Sequence, residues 1–419
     1  MPISLQRKNK FCFFIPEEQN FYIVYNSING LILRLSSSIV YKDCFDFGRL
    51  TDEQKCFLRD HNFIEAEGIS VSSQSDENTL FIVIEIATSC NLKCSFCYQS
   101  HWRQRSGISS ETIKDLVRVV SNTDLSYFSR IDINLIGGEP SLYEGKCRLI
   151  IDSFRILCQS KGIDLHIKLN TNGLLLSSSF IASLPNADIV WSIMAPTDYS
   201  QGLITKKDGS SIEFKDYLDA IRNLSDTINA NPAINIIFRL NIHHGNTHSL
   251  REYLELLNST PINRRSFQIA RMENHPGNYH NELSEDEFQQ WYIDKVIPVF
   301  AFEGLSLPIQ PRRSTFKCKA STYGSFKLFA DGRIGICNGY EYSEEYPLIH
   351  NVKELSDINN YLSSFKDVQA YSSLCSSCQY IYLCEGRVAC KDYNCNYDHK
   401  KTEALILAIA HTRPHSSNE

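Results

Sequence analysis

Residues 88–98 read T-S-C-N-L-K-C-S-F-C-Y and set Cys90, Cys94 and Cys97 in a C-x3-C-x2-C array directly after an apolar, strand-like run at 80–87. Three thiols crowded into so short a loop suit a metal centre. Four thiolates would close a [4Fe-4S] cluster, so three leave one iron open, able to bind a ligand and pass it an electron. The competing reading is half of a zinc site. Zinc half-sites usually run C-x2-C with a matching pair downstream, and a strand-end C-x3-C-x2-C fits that pattern poorly.

The 15 cysteines among 419 residues would suggest disulfides in an exported chain. The early apolar run at 11–15 ends at Pro16 and is too short for the core of a signal peptide. Later apolar runs such as 404–410 are too short to span a bilayer. The expectation is therefore a metal-binding protein of a reducing cytoplasm, away from the membrane. A hydrophobic fraction of 42% supplies ample core, and a net charge of −6 argues against a general nucleic-acid binder, which normally shows a basic face.

From about 79 to 310 strand and helix patterns alternate. Strands are predicted at 80–87, 131–136, 165–170, 189–193, 234–242 and 267–270, with helices at 111–120, 144–159, 180–184, 212–229 and 250–257. Ser110-Glu111 and Ser249-Leu250 read as helix starts. Repeated βα units imply a parallel sheet with right-handed crossovers. Six of them make a partial (β/α)6 TIM-like barrel, whose chemistry belongs at the C-terminal strand ends. Gly137-Gly138-Glu139-Pro140 follows the second strand, where paired glycines allow close backbone approach and a carboxylate presents acceptors to an ammonium. Asn170-Thr171-Asn172-Gly173 follows the third, and residues 191–196 (W-S-I-M-A-P) end the fourth. Arg239 and Asn241 on the fifth strand are pocket candidates or a solvated face. His243, His244 and His248 read as a polar loop, with a metal site as the alternative.

The cysteine loop, with Phe96 before its last cysteine and Tyr98 after it, and the GGEP run at the next strand end together resemble the radical S-adenosylmethionine (SAM) superfamily. The resemblance implies that Cys90, Cys94 and Cys97 hold a [4Fe-4S] cluster and that SAM chelates its open iron, to be cleaved reductively to a 5′-deoxyadenosyl radical. It implies a SAM pocket of Gly137, Gly138, Glu139, Pro140, Asn172, Ser192, Arg239, Phe96 and Tyr98, with Glu139 at the amino group and Ser192 at the ribose. The family's S-x-D-G and H-D-x-x-R runs are absent here, since Met194-Ala195 replace Asp-Gly. Lys206 or Lys207 then stands in for the missing arginine at the SAM carboxylate.

In the last third, Asp331-Gly332 marks a hairpin between 326–330 and 333–337. Cys318, Cys337, Cys375, Cys378, Cys384, Cys390 and Cys395 resemble the SPASM extension of radical SAM enzymes, which carries two auxiliary [4Fe-4S] clusters. That resemblance assigns Cys375, Cys378, Cys384 and Cys395 to the distal cluster. It assigns Cys318, Cys337 and Cys390 to the proximal one, whose fourth position is an open iron or a non-cysteine ligand. The spacing Cys384-x5-Cys390 departs from the family's C-x3-C, and Tyr323-Gly324 stand where a further cysteine is sometimes found.

Residues 1–78 show strands at 11–16 and 21–35 with an Asn29-Gly30 turn, a helix start at 51–54 and a polar linker at 70–78. This small α+β module resembles the winged-helix leader-binding element of ribosomal-peptide maturases; a structural cap is the other reading. The expected division is 1–78 leader-binding-like module, 79–310 partial barrel, 311–399 cysteine-rich SPASM domain and 400–419 terminal helix and tail. The implied function is a radical SAM/SPASM maturase that abstracts a side-chain hydrogen from a leader-bearing precursor peptide and installs a carbon–carbon or thioether crosslink. It would be fed by a flavodoxin- or ferredoxin-type donor. An anaerobic sulfatase-maturating, formylglycine-generating enzyme is the enzymatic alternative, and a non-catalytic iron–sulfur peptide-binding scaffold the alternative of another class.

Overall fold

The structure, a computed structural model, describes residues 5–9, 12–17, 20–27, 29–42, 44–64, 78–97, 99, 107–272, 281–305, 324–335, 350–363 and 399–412. The chain divides into two compact units. One comprises Met1–Asp76, Tyr292–Ser321 and Val368–Glu419, the other Glu77–Trp291 and Thr322–Asp367.

In the first unit, β1 (Leu5–Arg7), β5 (Val40–Tyr41) and β6 (Cys44–Asp46) make one antiparallel sheet, and β2 (Cys12–Glu17), β3 (Phe21–Asn26) and β4 (Ile32–Ser36) make another. The predicted Asn29-Gly30 turn joins β3 to β4, with Gly30 at φ 74° where a β-carbon would be strained. Period-two alternation gives the second sheet two apolar faces. Cys12 and Val24 pack with Phe45, Phe47, Leu58 of helix α1 (Asp52–Asp60) and Phe63. Phe13, Ile15, Ile23 and Tyr25 pack on the opposite face against Ile406 of the terminal helix His399–Thr412. The expected terminal helix is therefore docked on this sheet. Thr51 and Gln54 close a reciprocal capping box at the start of α1.

The second unit is built on nine strands in the order β14-β13-β11-β10-β9-β7-β15-β16-β17. Six of them, β7 (Thr79–Glu85), β9 (Arg130–Ile136), β10 (Asp164–Thr171), β11 (Ala187–Ser192), β13 (Ile234–Ile242) and β14 (Arg265–Arg271), lie side by side in chain order and all parallel. Helices α2 (Ser110–Ser121), α3 (Glu144–Lys161), α4 (Ser178–Ser183), α6 (Phe214–Ala230) and α7 (Leu250–Asn258) connect them, as the alternating pattern predicts. Apolar stripes at helical spacing, such as Ile113, Leu116 and Val120 or Ile221, Leu224 and Ile228, are buried, as are Ile131, Ile133 and Leu135 of β9. The alternate strand positions are polar: Asn134, Lys168, Asp188 and Asn235 sit in register across β9, β10, β11 and β13. The fold is α/β, with one apolar and one polar sheet face.

One helix start shifts by a residue, and the Ser249-Leu250 start forms at the expected residues. Ser109, rather than Ser110, caps α2 by accepting from Thr112 N, and Ser249 makes no side-chain cap bond. The Asp331-Gly332 hairpin forms as β15 (Ser325–Leu328) and β16 (Arg333–Gly335), with Gly332 at φ 88°. Sequence reasoning did not foresee its destination. β15 pairs in parallel with β7, Ser325 opposite Phe81, and β17 (His350–Asn351) extends the sheet further. A buried ion pair, Lys327 Nζ to Glu85 Oε2 at 3.5 Å, ties β15 to β7.

Candidate functional site

The sequence motifs converge at the C-terminal ends of the parallel strands. Beyond β7 and β9 the two chains stay together: Ile86 N donates to Ile136 O, Gly138 N to Ala87 O (2.8 Å) and Glu139 N to Ser89 O (2.9 Å). This close approach explains the paired glycines. A β-carbon on Gly138 would lie 2.1 Å from Ser89 O, and one on Gly137 2.3 Å from Ala87 O. The residues between Gly137 and Pro140 are thus backbone-bonded to the residues that lead into Cys90.

Glu139 is 1% exposed. Its Oε1 accepts from Ser141 N (2.9 Å) and Thr171 Oγ1 (2.6 Å), and its Oε2 from Asn172 N (2.7 Å). One carboxylate therefore joins the loop after β9 to the loop after β10. Burial pushes its pKa up and these hydrogen bonds oppose that; no cation of the described residues stands among the causes. A buried anion held by dipoles alone is electrostatically receptive to a cationic ligand.

The T-N-G turn adds the next wall. Asn172 Nδ2 donates to Asn91 Oδ1 (2.8 Å) and lies 3.9 Å from Cys90 Sγ. Trp191 Nε1 donates to Asn172 O (2.8 Å), and its indole covers Gly173, where a β-carbon would lie 1.9 Å from the ring at φ 76°. On the cysteine loop, β8 (Leu92–Cys94) pairs antiparallel with β12 (Ile204–Lys206), Ile204 opposite Cys94. This pairing, unforeseen from sequence, brings Lys206 opposite Leu92 and lets Lys207 N donate to Asn91 O. The two lysines proposed for the SAM carboxylate thus belong to the chain that flanks the cysteine loop.

On the fourth and fifth strands, Ser192 stands opposite Arg239, and Arg239 opposite Gln268 of β14, as one polar rung at the strand ends. Arg239 Nε donates to Asn241 Oδ1 (3.2 Å). Further down the same face, burial lowers the pKa of Lys168; Asp188 offsets this and Arg239 adds to it. His166, between Asp132 and Asp188 at 3.8 and 3.5 Å, is likewise lowered by burial. These charges were missed as a group, although the alternation R-I-D-I-N and H-I-K-L-N signals them.

The three histidines separate. His243 is fully buried against Asp198, while His244 is largely exposed, 3.6 Å from Glu287. Among the described residues no three His, Cys, Asp or Glu side chains converge on a single-ion site. A cubane asks for something else, thiolates spread over three different irons. Cys90, Cys94 and Cys97 are partly exposed cysteines on one loop, a soft donor set that suits it. Tyr217, buried beside them, has its pKa raised first by burial and then by the negative charge of Cys94, Cys90 and Glu139, which marks how these groups gather. Phe96 is half-buried and Pro140 buried. Tyr98 and the auxiliary candidates Cys318, Cys337, Cys375, Cys378, Cys384, Cys390 and Cys395 lie outside the described residues.

Residues 84–257 match the family model described as the Radical SAM superfamily. The matched segment is a radical SAM domain, the kind of domain that binds SAM and a [4Fe-4S] cluster. Among solved structures it is similar to native anSMEcpe with bound AdoMet and Cp18Cys peptide, at TM-score 0.57 and 15% identity, over 80% of this chain and 97% of that one. Native anSMEcpe with bound AdoMet matches at TM-score 0.58 and 16% identity, over 79% and 97%. Streptococcus suis SuiB bound to precursor peptide SuiA gives TM-score 0.49 and 16% identity, over 91% and 95%. No curated protein sequence matches the chain. Among the described residues no helix is long and apolar enough to cross a membrane.

Proposed function

We propose that this enzyme modifies a ribosomally made precursor peptide, taking a hydrogen atom from a side-chain carbon and closing an oxidative crosslink, carbon–carbon to an aromatic ring or thioether. The observation that carries the reading is β4. It is the outer strand of the β2-β3-β4 sheet and, among the described residues, pairs with β3 alone. An edge of this kind accepts an extended leader as an added strand. The leader-binding unit would then include the terminal helix, which covers the opposite sheet face through Ile406. The peptide seated in the similar anSMEcpe fold adds support for a peptide substrate.

In this reading Cys90, Cys94 and Cys97 hold the cluster, and Glu139 faces the SAM ammonium from its buried position. The Ser192–Arg239 rung orients ribose and carboxylate, with Asn172 shaping the pocket wall. When bound and reduced, cluster and SAM together supply a 5′-deoxyadenosyl radical; the protein's share is to position the reacting carbon and exclude water. Closing the crosslink removes two hydrogens from the peptide. One leaves as a hydrogen atom to the deoxyadenosyl group, the other as a proton plus an electron. The cysteines between Cys318 and Cys395 would hold auxiliary clusters able to accept that electron, and a flavodoxin- or ferredoxin-type donor would supply the reducing electron for SAM cleavage.

The anSMEcpe likeness, over 97% of that chain, favours a second reading, formylglycine formation on a sulfatase-type peptide. Anaerobic incubation of the reconstituted full chain with SAM, reductant and each peptide class separates the two. A crosslinked, leader-dependent product lighter by two hydrogens supports the first; an aldehyde formed without a leader overturns it.

A further inference from the structure

The strand that carries Ser192 runs on into residues 193–195 and then into α5 (Pro196–Ser200). Nothing of the family's Asp-Gly stands there, yet the segment is pinned. Met194 N donates to Tyr199 Oη (3.0 Å) and Ala195 N to Asp198 Oδ2 (3.0 Å). Asp198 is completely buried, and its remaining partners come from beyond β13: His243 Nε2 at 2.8 Å on Oδ1 and Asn246 Nδ2 at 3.0 Å on Oδ2. Gly245 N donates to His243 Nδ1 (3.1 Å), so that nitrogen is the acceptor and the ring proton sits on Nε2, aimed at Asp198. Asn246 Nδ2 also bonds Asn241 O, and its Oδ1 accepts from His243 N. Three fully buried side chains thus lock the exit of the fourth strand to the exit of the fifth. Those exits hold Ser192 and Arg239, which face each other in register, and Ile193 N donates to Arg239 O.

We infer that Asp198, His243 and Asn246 are positioning residues that set the Ser192–Arg239 rung of the SAM pocket. The inference rests on the reading that this rung contacts SAM. Burying an anion among neutral donors is costly unless each bond is made, so the arrangement has one well-defined geometry and transmits it to the rung. In Asp198→Asn an amide replaces one acceptor, and its N–H groups meet either the His243 Nε2–H or the Asn246 and Ala195 donors. His243→Leu leaves the Asp198 carboxylate short of a donor, whereas His243→Gln can offer an amide N–H to the same oxygen.

The test is equilibrium SAM binding to the anaerobically reconstituted full-length protein, with iron content and thermal unfolding measured alongside. Asp198→Asn and His243→Leu are expected to weaken SAM binding about tenfold with iron unchanged, and His243→Gln to recover most of it. Wild-type affinity in both damaging variants, with only the melting temperature lowered, overturns the inference. Tyr199→Phe, which keeps the ring and loses the hydroxyl's bonds to Met194 N and to Tyr217, serves if the Asp198 variant does not fold; unchanged affinity there counts equally against it. Ser192→Ala and Arg239→Ala mark the underlying reading. If they bind SAM normally the pocket assignment fails, and if they weaken binding while the positioning variants do not, the positioning role alone fails.

Discussion

Replacing Glu139 by glutamine separates what the buried carboxylate does for the fold from what it does for SAM. In the structure the side chain accepts from Ser141 N and Thr171 Oγ1 on one oxygen and from Asn172 N on the other. Glutamine keeps the first oxygen and turns an amide toward the Asn172 N–H, a donor–donor contact costing about 1–3 kcal/mol. It also removes a buried charge whose pKa burial has raised, which recovers desolvation of similar order. The melting temperature without SAM should therefore move little. With SAM present, an ammonium loses a charged partner worth about 1.5–3 kcal/mol, or roughly tenfold to a hundredfold in affinity. Stability and SAM affinity should depend on pH with opposite signs. Because the native pKa lies above the unfolded value of 4.5, the native state keeps a proton that the unfolded chain has released, and the stability contribution falls as pH rises through that window. SAM prefers the ionised form, so wild-type affinity should weaken on acidification through the same window, and the Gln variant should be flat. Equilibrium SAM binding against pH, with iron determined on each sample, is the assay. Wild-type affinity in Glu139→Gln at full iron content would refute the ammonium role.

Gly138→Ala places a β-carbon 2.1 Å from Ser89 O and must push the loop away from the cysteines; overpacking of this kind costs about 1–3 kcal/mol, and cluster retention and SAM cleavage should drop while circular dichroism stays native. Changing Cys90, Cys94 and Cys97 together to Ala should remove about 4 Fe per chain and all 5′-deoxyadenosine formation, and any iron that remains by elemental analysis reports the auxiliary clusters. Ile406, fully buried against the N-terminal sheet, should cost about 2–5 kcal/mol when cut to Ala, read as faster hydrogen exchange in β2 and β3. A fragment ending at residue 78 should expose Phe13, Ile15, Ile23 and Tyr25 and bind a hydrophobic dye, whereas independent folding of that fragment would show the terminal helix to be dispensable.

The order of the six parallel strands, their connecting helices and the place of the cysteine, GGEP and TNG runs at the strand ends follow from the sequence, because local periodicity and βα alternation admit few topologies. The glycines at 137, 138 and 173 signal close approach, and the fold supplies what approaches them: Ala87 O, Ser89 O and the Trp191 ring. What sequence cannot supply is long-range pairing. β12 against the cysteine loop, β15 against β7 and the terminal helix against β2 and β3 join segments whose composition names no partner. Their stability comes from burial and backbone bonds made only once the chain has folded. His243 shows the limit most plainly. Beside His244 and His248 it reads as part of a polar loop, and only the tertiary arrangement, by closing Asp198, Asn246 and the Gly245 N–H around it, turns one of three similar side chains into a fully buried junction between two strand ends.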